Sequence, residues 1–536
     1  MATLGVMFRT TSPQRPLFGV EHRLDAAKRG RLERSWAHEY CNHALPLIDE
    51  SRFAKYFDAA NGRPNKSVRM VVSVLVLKER FDLTDLEALE QLEWNAAWHY
   101  ALDVLPEEAH ACQKTLHNFR KLLLDDDEGA GLFESTTARL IEAAGLRTGR
   151  QRQDSTHILS NIKLLTRLGL FVQTVTQFLE VLRKEHPRLC GQVAEDLRER
   201  YLDREGYFAD ARGSEAPRRL AQTALDVHHL VHEFDEHKVV AAMESFGLVA
   251  RLYAEQCVPP PTQTPERIVL QEKPSSASLQ SPSDPDVTYG HKGKGYEVQL
   301  TETCVEDNPF QVVTSVSVHG ANESDQHQVE PALEQIVTTC GTAPDVLHND
   351  AGYGSGENIL MAREHGTELL APIGSKGPES PVTLTDFELD ATGQRVLQCP
   401  AGQRPVEHRP SRGGKAMLAC FESKQCEACP LRDLCPTEPR GEQRVLRLTQ
   451  AEVAVARRRV EQETPQFKEQ HKIRSGIEAT NSDLKRSHRL GKLRVRRRPR
   501  VSLSARLKVL ALNIKRYVAH LVDVSAATTH SSACTC

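Results

Sequence analysis

Hydrophobic positions at helical spacing dominate residues 1 to about 140. The stretches concerned are SVRMVVSVLVLKERF, TDLEALEQLEWNAAWHYAL and ACQKTLHNFRKLLL, in which apolar side chains recur every three or four positions. Turn-forming sequence separates them at Gly62-Arg63-Pro64 and near Pro106. Short helices with basic ends suit a helix-turn-helix-like DNA-binding domain, and a simple packing bundle is the alternative that the pattern leaves open.

The pattern changes to short β-like runs after residue 146. The stretch RQRQDSTHI predicts a strand around Asp154, but strand-like sequence resumes only near Tyr296. Two helical stretches, 163 to 202 and 218 to 257, lie between them with a Pro- and Ser-rich linker and predict an insertion. From Tyr296 onward the pattern predicts two strands, a helix, a strand, a helix and a strand. The sequence therefore predicts an α/β fold.

Charge is unevenly distributed along the 536 residues, which are too many for one ordinary core. The formal net charge of −3 gives no overall sign of nucleic-acid binding. The segment from Lys485 to Arg500, however, contains nine Lys or Arg residues and no acidic residue. Such a run is either a solvated tail or a polyanion site. Its place before the apolar stretch VSLSARLKVLALNIKRYVAHLV favours contact with phosphate.

Neither membrane insertion nor secretion is indicated. The sequence has no apolar window of 18 residues, and its beginning lacks a charged start followed by an apolar core. Thirteen cysteines in a long chain without a signal peptide argue against a disulfide framework. A reducing cytoplasm is the expected location.

Four polar residues, His471, Arg474, Glu478 and Lys485, form the pattern H-x2-R-x3-E-x6-K in a segment predicted to be one helix. With roughly 3.6 residues per turn, their side chains fall within an arc of about 60°. One helix face would carry a carboxylate flanked by cations, while apolar residues on the other side pack against a core. The functional interpretation is a metal ion bound against phosphate, and the alternative is a solvated face with ordinary charge pairs.

This pattern resembles the Y-x2-R-x3-E-x6-K signature of insertion-sequence transposases of the DDE class, with His471 in the tyrosine position. That class has two aspartates upstream, each at a strand end, and Asp154 and Asp350 fit this order. The stretch D-A-G-Y-G-S-x-E-N, which begins at Asp350, looks like the second-aspartate motif. The stretch G-H-K-G-K-G-Y-E-V-Q-L-T-E-T-C resembles the second-strand region. The resemblance covers about residues 50 to 520.

The resemblance implies a ribonuclease H-like catalytic core, and the predicted order of strands and helices agrees with it. The core would follow a helical N-terminal DNA-binding domain and contain a helical insertion and a Cys-rich insertion. The expected divisions are 1–140 for the DNA-binding domain, 146–162 for the first core strand, 163–286 for the helical insertion and linker, 287–375 for the core, 376–448 for the Cys-rich insertion, 449–522 for the helix of Glu478, the basic segment and the last helix, and 523–536 for a disordered tail.

Asp154, Asp350 and Glu478 are the catalytic residues that the resemblance implies. Phosphoryl transfer on DNA uses two divalent cations about 4 Å apart, which activate the attacking oxygen and stabilise the leaving one. Carboxylates suit Mg²⁺ (or Mn²⁺) and leave positions open for a substrate phosphate. The three carboxylates are therefore expected to bind two such ions.

Cations near these carboxylates are the expected DNA ligands. Arg474 and Lys485 would hold phosphates of the transposon end, the first through its planar fork and the second as a point charge. His471 could donate a hydrogen bond to phosphate with less reach than a tyrosine. Lys292 and Lys294 could touch the non-transferred strand or be turn lysines. The other expected DNA-binding residues are Arg489, Lys492 and Arg494 of the basic segment and Lys114, His117, Arg120 and Lys121 of the N-terminal domain.

Cysteines concentrate between residues 373 and 448, and their spacing is suited to tetrahedral zinc. The candidate ligands are Cys399, Cys426, Cys429 and Cys435, with Cys420 as an alternative to Cys399. The zinc would be structural, because four thiolates leave no position open for chemistry. A set of buried free thiols is the other interpretation.

The sequence thus predicts a bacterial transposase that binds the terminal inverted repeats of an insertion sequence, pairs the ends as a homodimer, cleaves donor DNA and joins it to target DNA. Its partners would be the double-stranded DNA of the transposon ends and of the target, with no membrane involved. Its expected location is the cytoplasm, at the nucleoid. Two alternatives are a ribonuclease H-like nuclease without strand transfer and an inactive transposase-derived DNA-binding protein.

Overall fold

The computed structural model of the protein describes residues 6–11, 18–58, 63–203, 215–261, 265–375 and 382–533. Helices and strands are mixed along the chain, which confirms the predicted α/β class. The end of the expected disordered tail, residues 534–536, lies outside the described residues.

A mixed sheet lies at the centre of the molecule. Its main strands are β1 (Arg150–Ile158), β2 (Gly293–Thr303), β3 (Val313–Gly320), β4 (Val346–His348) and β5 (Glu368–Leu370). Their spatial order is β3-β2-β1-β4-β5. Strand β2 is antiparallel to β1 and to β3, whereas β4 and β5 run parallel to β1. A short sixth strand, Thr288–Gly290, forms a hairpin with the start of β2.

Long runs of buried residues show that β2 and β3 are covered on both faces of the sheet. Eight consecutive residues of β2, Tyr296 to Thr303, are buried, and so are most residues of β3. Strands with both faces covered carry such continuous runs rather than an alternating pattern. Two apolar clusters cover the sheet. One contains residues of β1, β2 and β3 together with residues of the N-terminal helices and of the last helix. The other surrounds β4 and β5.

The N-terminal region is helical, as predicted, but its core is shared with the sheet. Its α-helices are Ala26–Leu32, Trp36–Glu39, Val68–Arg80, Asp85–Trp94, Ala96–Ala101, Gln113–Leu124 and Glu128–Ala143. Tight helical turns cover Val20–Arg23, Tyr40–Ala44, Leu45–Leu47, Ser51–Tyr56 and Asp125–Asp127, and the short strands Val6–Met7 and Arg63–Pro64 pair with each other.

The stretch TDLEALEQLEWNAAWHYAL forms two helices, Asp85–Trp94 and Ala96–Ala101. Asn95 has extended backbone angles, and its side chain accepts a hydrogen bond from the backbone N–H of Ala97. This side chain caps the second helix at its start, because an Asn oxygen satisfies one of the free N–H groups there. A local capping bond therefore outweighs the continuous apolar pattern.

The helical insertion forms a separate apolar cluster of its own. Its helical segments are Arg167–Glu185, Pro187–Cys190, Glu195–Arg198, Glu199–Asp203, Glu215–Phe234, Lys238–Ala241 and Glu244–Gln256, and the strands Cys257–Val258 and Val269–Leu270 pair with each other. The Pro- and Ser-rich stretch is not a loose linker where it is described. Leu279 is fully buried in the insertion, and Asp284 accepts a hydrogen bond from Tyr296 of β2.

The Cys-rich insertion contains more regular structure than a Gly- and Pro-rich loop. Its strands are Glu388–Leu389, Val396–Gln398, Glu407–Pro410, Met417–Glu422, Glu438–Arg440 and Gln443–Leu448, with short helical segments at Leu384–Asp386, Ser423–Glu427 and Arg432–Leu434. The last four strands form an antiparallel sheet around a small apolar cluster.

The remaining helices lie beside the central sheet or follow the Cys-rich insertion. They are Asp325–Gln328 and Lys472–Gly476, both 3-10 segments, and the α-helices Val329–Cys340, Gly356–Glu364, Gln450–Glu461, Pro465–His471, Ile477–Ser487 (the glutamate helix) and Arg498–Ala533 (the C-terminal helix). Residues 523–533, expected in a disordered tail, continue the C-terminal helix, so that expectation was wrong for them.

Candidate active site and nucleic-acid interface

The segment that carries His471, Arg474, Glu478 and Lys485 is not one helix, as was expected. A 3-10 turn, Lys472–Gly476, separates the helix that ends at His471 from the glutamate helix. Arg152 of β1 causes this irregularity, because its Nη1 donates a 2.9 Å hydrogen bond to the carbonyl oxygen of Ile473. Its guanidinium also fills the space that a side chain at Gly476 would need. The backbone therefore approaches β1 closely at this point.

A buried carboxylate fixes the glutamate helix against the sheet. Glu302 of β2 is fully buried and accepts hydrogen bonds from Arg152 Nε (2.9 Å), Thr480 Oγ1 (2.6 Å) and Arg516 Nη1 (3.1 Å). Two cations offset the cost of burying its charge. Glu302 therefore joins β1, β2, the glutamate helix and the C-terminal helix. The sequence alone does not reveal this role, because partners so far apart in the chain leave no local signal.

Asp154 lies in the middle of β1 rather than at a strand end, which corrects one expectation. It is opposite Leu300 of β2, and its Oδ2 accepts a 3.2 Å hydrogen bond from Asn481 Nδ2 of the glutamate helix. Burial raises the pKa of the Asp154 carboxyl, and repulsion from Asp350 raises it further, against the attraction of Arg474. Asp154 and Asp350 therefore lie close enough to repel each other.

Asp350 lies two residues beyond β4, as expected for the second aspartate. Its Oδ1 accepts a 2.7 Å hydrogen bond from the backbone N–H of Gly352. A Cβ on Gly352 would lie 2.9 Å from that oxygen, so glycine at 352 leaves room for the carboxylate. The preceding residue, Asn349, is tied to β5 by a backbone hydrogen bond to Leu370.

Arg474 lies between the second aspartate and the glutamate. Its Nη1 is 4.0 Å from Asp350 Oδ2, and its Nη2 is 3.7 Å from Glu478 Oε1. Only 17% of the Arg474 side chain is exposed, compared with 68% of Glu478. The exposed Glu478 side chain can therefore change its rotamer, whereas the Arg474 side chain is fixed by the residues around it.

A fourth carboxylate, Asp325, lies near Asp350. It follows β3, at the start of a 3-10 turn, and its Oδ2 is 3.4 Å from the hydroxyl of Ser155, the neighbour of Asp154. Burial raises the pKa of the Asp325 carboxyl, and repulsion from Asp350 contributes to the rise. No motif quoted from the sequence includes Asp325, so only the fold reveals its position.

The chemistry of these side chains suits a hard divalent cation, since carboxylate oxygens are the ligands that Mg²⁺ prefers. A cation would also relieve the repulsion between Asp154 and Asp350. Among the described residues, however, no group of three or more His, Cys, Asp or Glu side chains is spaced to hold a metal ion. The position of Arg474 between Asp350 and Glu478 is consistent with this separation.

The basic segment is ordered along the molecule and is not a solvated tail. The backbone N–H of Leu159 donates to the carbonyl of Gly491 (3.0 Å), and the N–H of Leu493 donates to the carbonyl of Leu159 (2.8 Å). The basic segment therefore pairs with the residue that follows β1. Arg494 donates to the carbonyl of Leu83, and Arg489 pairs with Asp82. A cavity of about 430 Å³ beside it has mainly basic walls, formed by Lys78, Lys485, Arg489, Lys492, Arg494 and Lys508 together with Glu79 and Asp82.

Lys485 has the electrostatic surroundings expected for a cation near the first aspartate. Packing of the chain around its ammonium lowers the pKa of Lys485, and repulsion from Lys292 lowers it further. Attraction to Glu297 and Asp154 opposes this shift. Lys292 itself is 3.4 Å from Glu297 Oε2 and is exposed. Lys485 and Lys292 therefore lie near Asp154 and place positive charge beside it.

Lys294 and Arg120, two further residues expected to bind DNA, also have partners within the chain. Lys294 Nζ donates to the carbonyl of Leu165 (2.8 Å), and burial lowers its pKa. Arg120 forms a two-point ion pair with Asp85. On the same helix as Arg120, Gln113–Leu124, the three other expected residues, Lys114, His117 and Lys121, are exposed.

Cys399, Cys426 and Cys435 of the first zinc set pack against one small apolar cluster. In the described part of the chain, however, no three cysteines are spaced to hold a metal ion. Burial raises the pKa of the Cys426 thiol, and Cys435, Cys399 and Cys429 raise it further, which requires them to be near. Cys420 is fully buried on the opposite side of its strand, in a separate cluster with two aliphatic residues. It is therefore a poor substitute for Cys399.

Two family models match the chain. One, described as Transposase DDE domain, matches residues 398–518, and another, described as Transposase domain (DUF772), matches residues 38–122. No curated protein and no solved structure matches it. Both models describe transposase domains and together match less than half of the chain, and they support an insertion-sequence transposase of the DDE class. Glu478 lies inside the first matched segment, whereas Asp154 and Asp350 lie outside both.

No helix in the part of the chain that the structure describes is both long and apolar enough to cross a membrane.

Proposed function

We propose that this transposase cleaves the ends of an insertion sequence and joins them to target DNA at a site formed by Asp154, Asp350 and Glu478. The observation that carries the proposal is the geometry around the glutamate helix, where Asn481 donates a hydrogen bond to Asp154 and Arg474 lies between Asp350 and Glu478. The raised pKa of the Asp154 carboxyl agrees with this proposal, because acids with shifted pKa values cluster at sites where a cofactor or substrate supplies the missing charge.

The strand order supports a ribonuclease H-like core. The first three strands are antiparallel neighbours, the fourth and fifth run parallel to the first, and β1 is central. In this arrangement Asp154 is on the central strand, Asp350 follows the adjacent parallel strand, and Glu478 comes from a helix that packs against the central strand. The N-terminal helices, with Lys114, His117 and Lys121 exposed, would contribute to end binding.

Bound Mg²⁺ or Mn²⁺ would activate the attacking oxygen and stabilise the leaving one. Asp154, Asp350 and Glu478 would hold two such ions, and Asn481 would orient Asp154. Glu302 and Arg152 would keep the glutamate helix in place. The catalytic contribution of the protein is therefore mainly positioning and charge, as expected for phosphoryl transfer.

Cations around the acids would place the DNA. Arg474 would exchange its carboxylate partners for a phosphate of the scissile strand, and Lys485 would hold a neighbouring phosphate. Arg489, Lys492 and Arg494 would follow the backbone of the terminal DNA along the basic cavity. Lys292 would touch the non-transferred strand. We further propose a structural zinc on Cys399, Cys426, Cys429 and Cys435, and a homodimer that pairs the two ends in the bacterial cytoplasm.

Conservative amide variants test the site. Asp154→Asn, Asp350→Asn and Glu478→Gln should each abolish Mg²⁺-dependent cleavage of labelled terminal DNA while they leave its binding intact. Since burial and repulsion raise the pKa of the Asp154 carboxyl, Asp154→Asn should keep or raise the Tm, which separates lost chemistry from lost folding. Cleavage by any of the three variants at the rate of the parent would remove that residue from the site.

A strand-transfer assay separates the proposal from a nuclease of the same fold. The substrate is a duplex with the inverted repeats that flank the gene, incubated with a supercoiled plasmid. Joined products support transposition, whereas cut but unjoined ends support the nuclease. Binding without either product would indicate an inactive DNA-binding protein.

A further inference from the structure

A second cavity with basic walls lies where the Cys-rich insertion packs against two helices. We call it the insertion cavity, and its volume is about 360 Å³. Three charged residues line it: Arg363 of the helix Gly356–Glu364, Arg457 of the helix Gln450–Glu461, and Lys415 of the hairpin that joins the strands Glu407–Pro410 and Met417–Glu422. Among the described residues no acid lines the insertion cavity, and it shares no residue with the basic cavity beside Lys485.

No acidic partner balances these three cations in the part of the chain that the structure describes. None of them forms an ion pair there, and Arg363 and Lys415 are exposed. Arg457 Nη2 donates a 2.6 Å hydrogen bond to the carbonyl oxygen of Ala391, a neutral partner that fixes the guanidinium but leaves its charge unbalanced. The acid of that turn, Asp390, accepts hydrogen bonds from the turn itself. The insertion cavity is therefore positively charged.

The hairpin presents Lys415 on a fixed turn. The N–H of Ser411 donates to the carbonyl of Ala416 (2.8 Å), and the N–H of Gly414 donates to the carbonyl of Ser411 (2.8 Å). Gly414 has a φ of 68°, a left-handed conformation that glycine adopts readily. The hairpin is also basic, since the stretch from Arg409 to Phe421 contains three basic residues and no acidic residue. The backbone therefore sets the position of Lys415 relative to the two helices.

Protection of a sheet edge does not explain the whole set of cations. Glu407–Pro410 is an edge strand of its sheet, and exposed cations on such a strand discourage pairing with another chain. Arg363 and Arg457, however, come from helices and contribute nothing to that edge. Cations that converge from three elements form a cleft of one charge, which concentrates anions. The insertion cavity therefore has the chemistry of an anion site.

We propose that the insertion cavity binds phosphates of the target duplex, to which the cleaved ends are joined. This inference rests on the proposed function, because strand transfer needs a second duplex beside the terminal DNA. Arg363 and Arg457 can bind phosphate oxygens through their planar forks, and Lys415 can do so as a point charge. Such contacts carry no sequence information, so they suit target DNA of varied sequence. The cations proposed for terminal DNA, at the basic cavity, are a separate set.

Binding of a second duplex tests the inference. The full chain is first given one equivalent of a short duplex that carries the terminal repeat, without Mg²⁺. A labelled duplex of random sequence is then titrated by fluorescence anisotropy at several salt concentrations. Arg363→Ala and Lys415→Ala should each flatten the slope of log Kd against log salt by about one unit, since each removes one phosphate contact. Lys415→Arg keeps the charge and should bind like the parent.

Lys424→Ala is the matched control, because Lys424 is an exposed lysine of the same insertion that does not line the cavity. Its slope should equal that of the parent. If it flattens the slope as much as Lys415→Ala, charge anywhere in the insertion attracts DNA and the inference is wrong. An unchanged slope in both Arg363→Ala and Lys415→Ala would also overturn it. Arg363→Gln and Lys415→Gln repeat the measurement if thermal unfolding shows that an alanine variant does not fold.

The strand-transfer assay separates this inference from the proposed function. In the double variant with Arg363→Ala and Lys415→Ala, a smaller share of the cut terminal ends should become joined to the plasmid. If cutting and terminal binding fall by the same factor as joining, the cavity holds terminal DNA and its assignment to the target is wrong. A parent and a double variant that join the ends equally well would overturn the inference and leave the proposed function standing. A parent that cuts without joining would overturn both.

Discussion

The imidazole Nε2 of His471 lies 2.9 Å from the carbonyl oxygen of Asn349, the residue immediately before Asp350. Because a carbonyl oxygen only accepts, Nε2 must carry a proton and donate it. The ring also stacks on Phe467, with centroids 5.8 Å apart and planes at 10°. In this structure His471 thus stabilises the backbone just after β4. A phosphate ligand would instead direct its donor toward solvent.

The first prediction follows from this contact. His471→Phe keeps a ring on Phe467 but removes the donor, so Asp350 should shift. A displacement of about 1 Å can cost roughly a hundredfold in rate, and single-turnover cleavage should fall by about 10- to 100-fold while the Kd for terminal DNA stays unchanged. His471→Gln, which retains a donor, should restore part of the rate. A weaker Kd in His471→Phe would instead support the phosphate-binding role expected from the sequence.

The second prediction concerns Lys485, which faces Asp154 and Lys292. A lysine point charge on phosphate carries no sequence information, so Lys485→Ala should weaken binding of all duplexes equally. The slope of log Kd against log salt should flatten by about one unit. Cleavage should fall further than binding, because a misplaced phosphate reacts slowly.

Lys424→Ala in the Cys-rich insertion is a control for Lys485→Ala, since it removes the same charge outside the basic segment. Fluorescence anisotropy at several salt concentrations measures both. Binding and cleavage by Lys485→Ala at the level of the parent would show that the glutamate helix does not face DNA.

The third prediction concerns Glu302, which accepts from Arg152, Thr480 and Arg516. Glu302→Gln leaves two arginines without their buried partner, and removal of one member of such a group costs about 3 to 5 kcal/mol. The free energy of unfolding in urea should fall by this amount. Glu306→Gln, an exposed acid four residues later, should unfold like the parent. A loss below about 1 kcal/mol for Glu302→Gln would show that the cluster contributes little to stability.

The fourth prediction concerns the cysteines near Cys426. Freshly purified protein should contain about one zinc per chain, and Cys426→Ser with Cys429→Ser should remove it and lower the Tm, because a closed thiolate site supports local folding. Cys112→Ser, which changes an exposed thiol of the N-terminal region, should retain the metal. Elemental analysis that finds no zinc in the parent would leave buried free thiols as the interpretation.

The sequence was informative where a local pattern determines the structure. The stretch RQRQDSTHI predicted the strand Arg150–Ile158 correctly, and the order of strands and helices after Tyr296 agrees with the structure. The segment around Glu478 was less predictable, because Arg152 distorts it from more than 300 residues away in the chain. Contacts of this range leave no periodic signal near the residue that they affect.

The candidate site divides in the same way. Asp350 and Glu478 were found through motifs, and the structure places Arg474 between them. Asp325 and Asn481 escaped notice, since each has meaning only after β2, β3 and the glutamate helix have come together. Lys294 and Arg120 were expected to bind DNA, but in the structure each donates to a partner within the chain. A sequence does not show that such a carbonyl or carboxylate lies beside a cation.

The shared core of the C-terminal helix has a consequence for the synthesis of the protein. The side chain of Asn513 forms hydrogen bonds with the backbone N–H and carbonyl of Val313, two hundred residues earlier. The C-terminal helix also packs against the N-terminal helix Val68–Arg80. Contacts this distant in sequence form slowly and late. The first helices and β3 therefore emerge from the ribosome with an apolar face that stays uncovered, and open to aggregation, until residues 498–518 arrive to cover it.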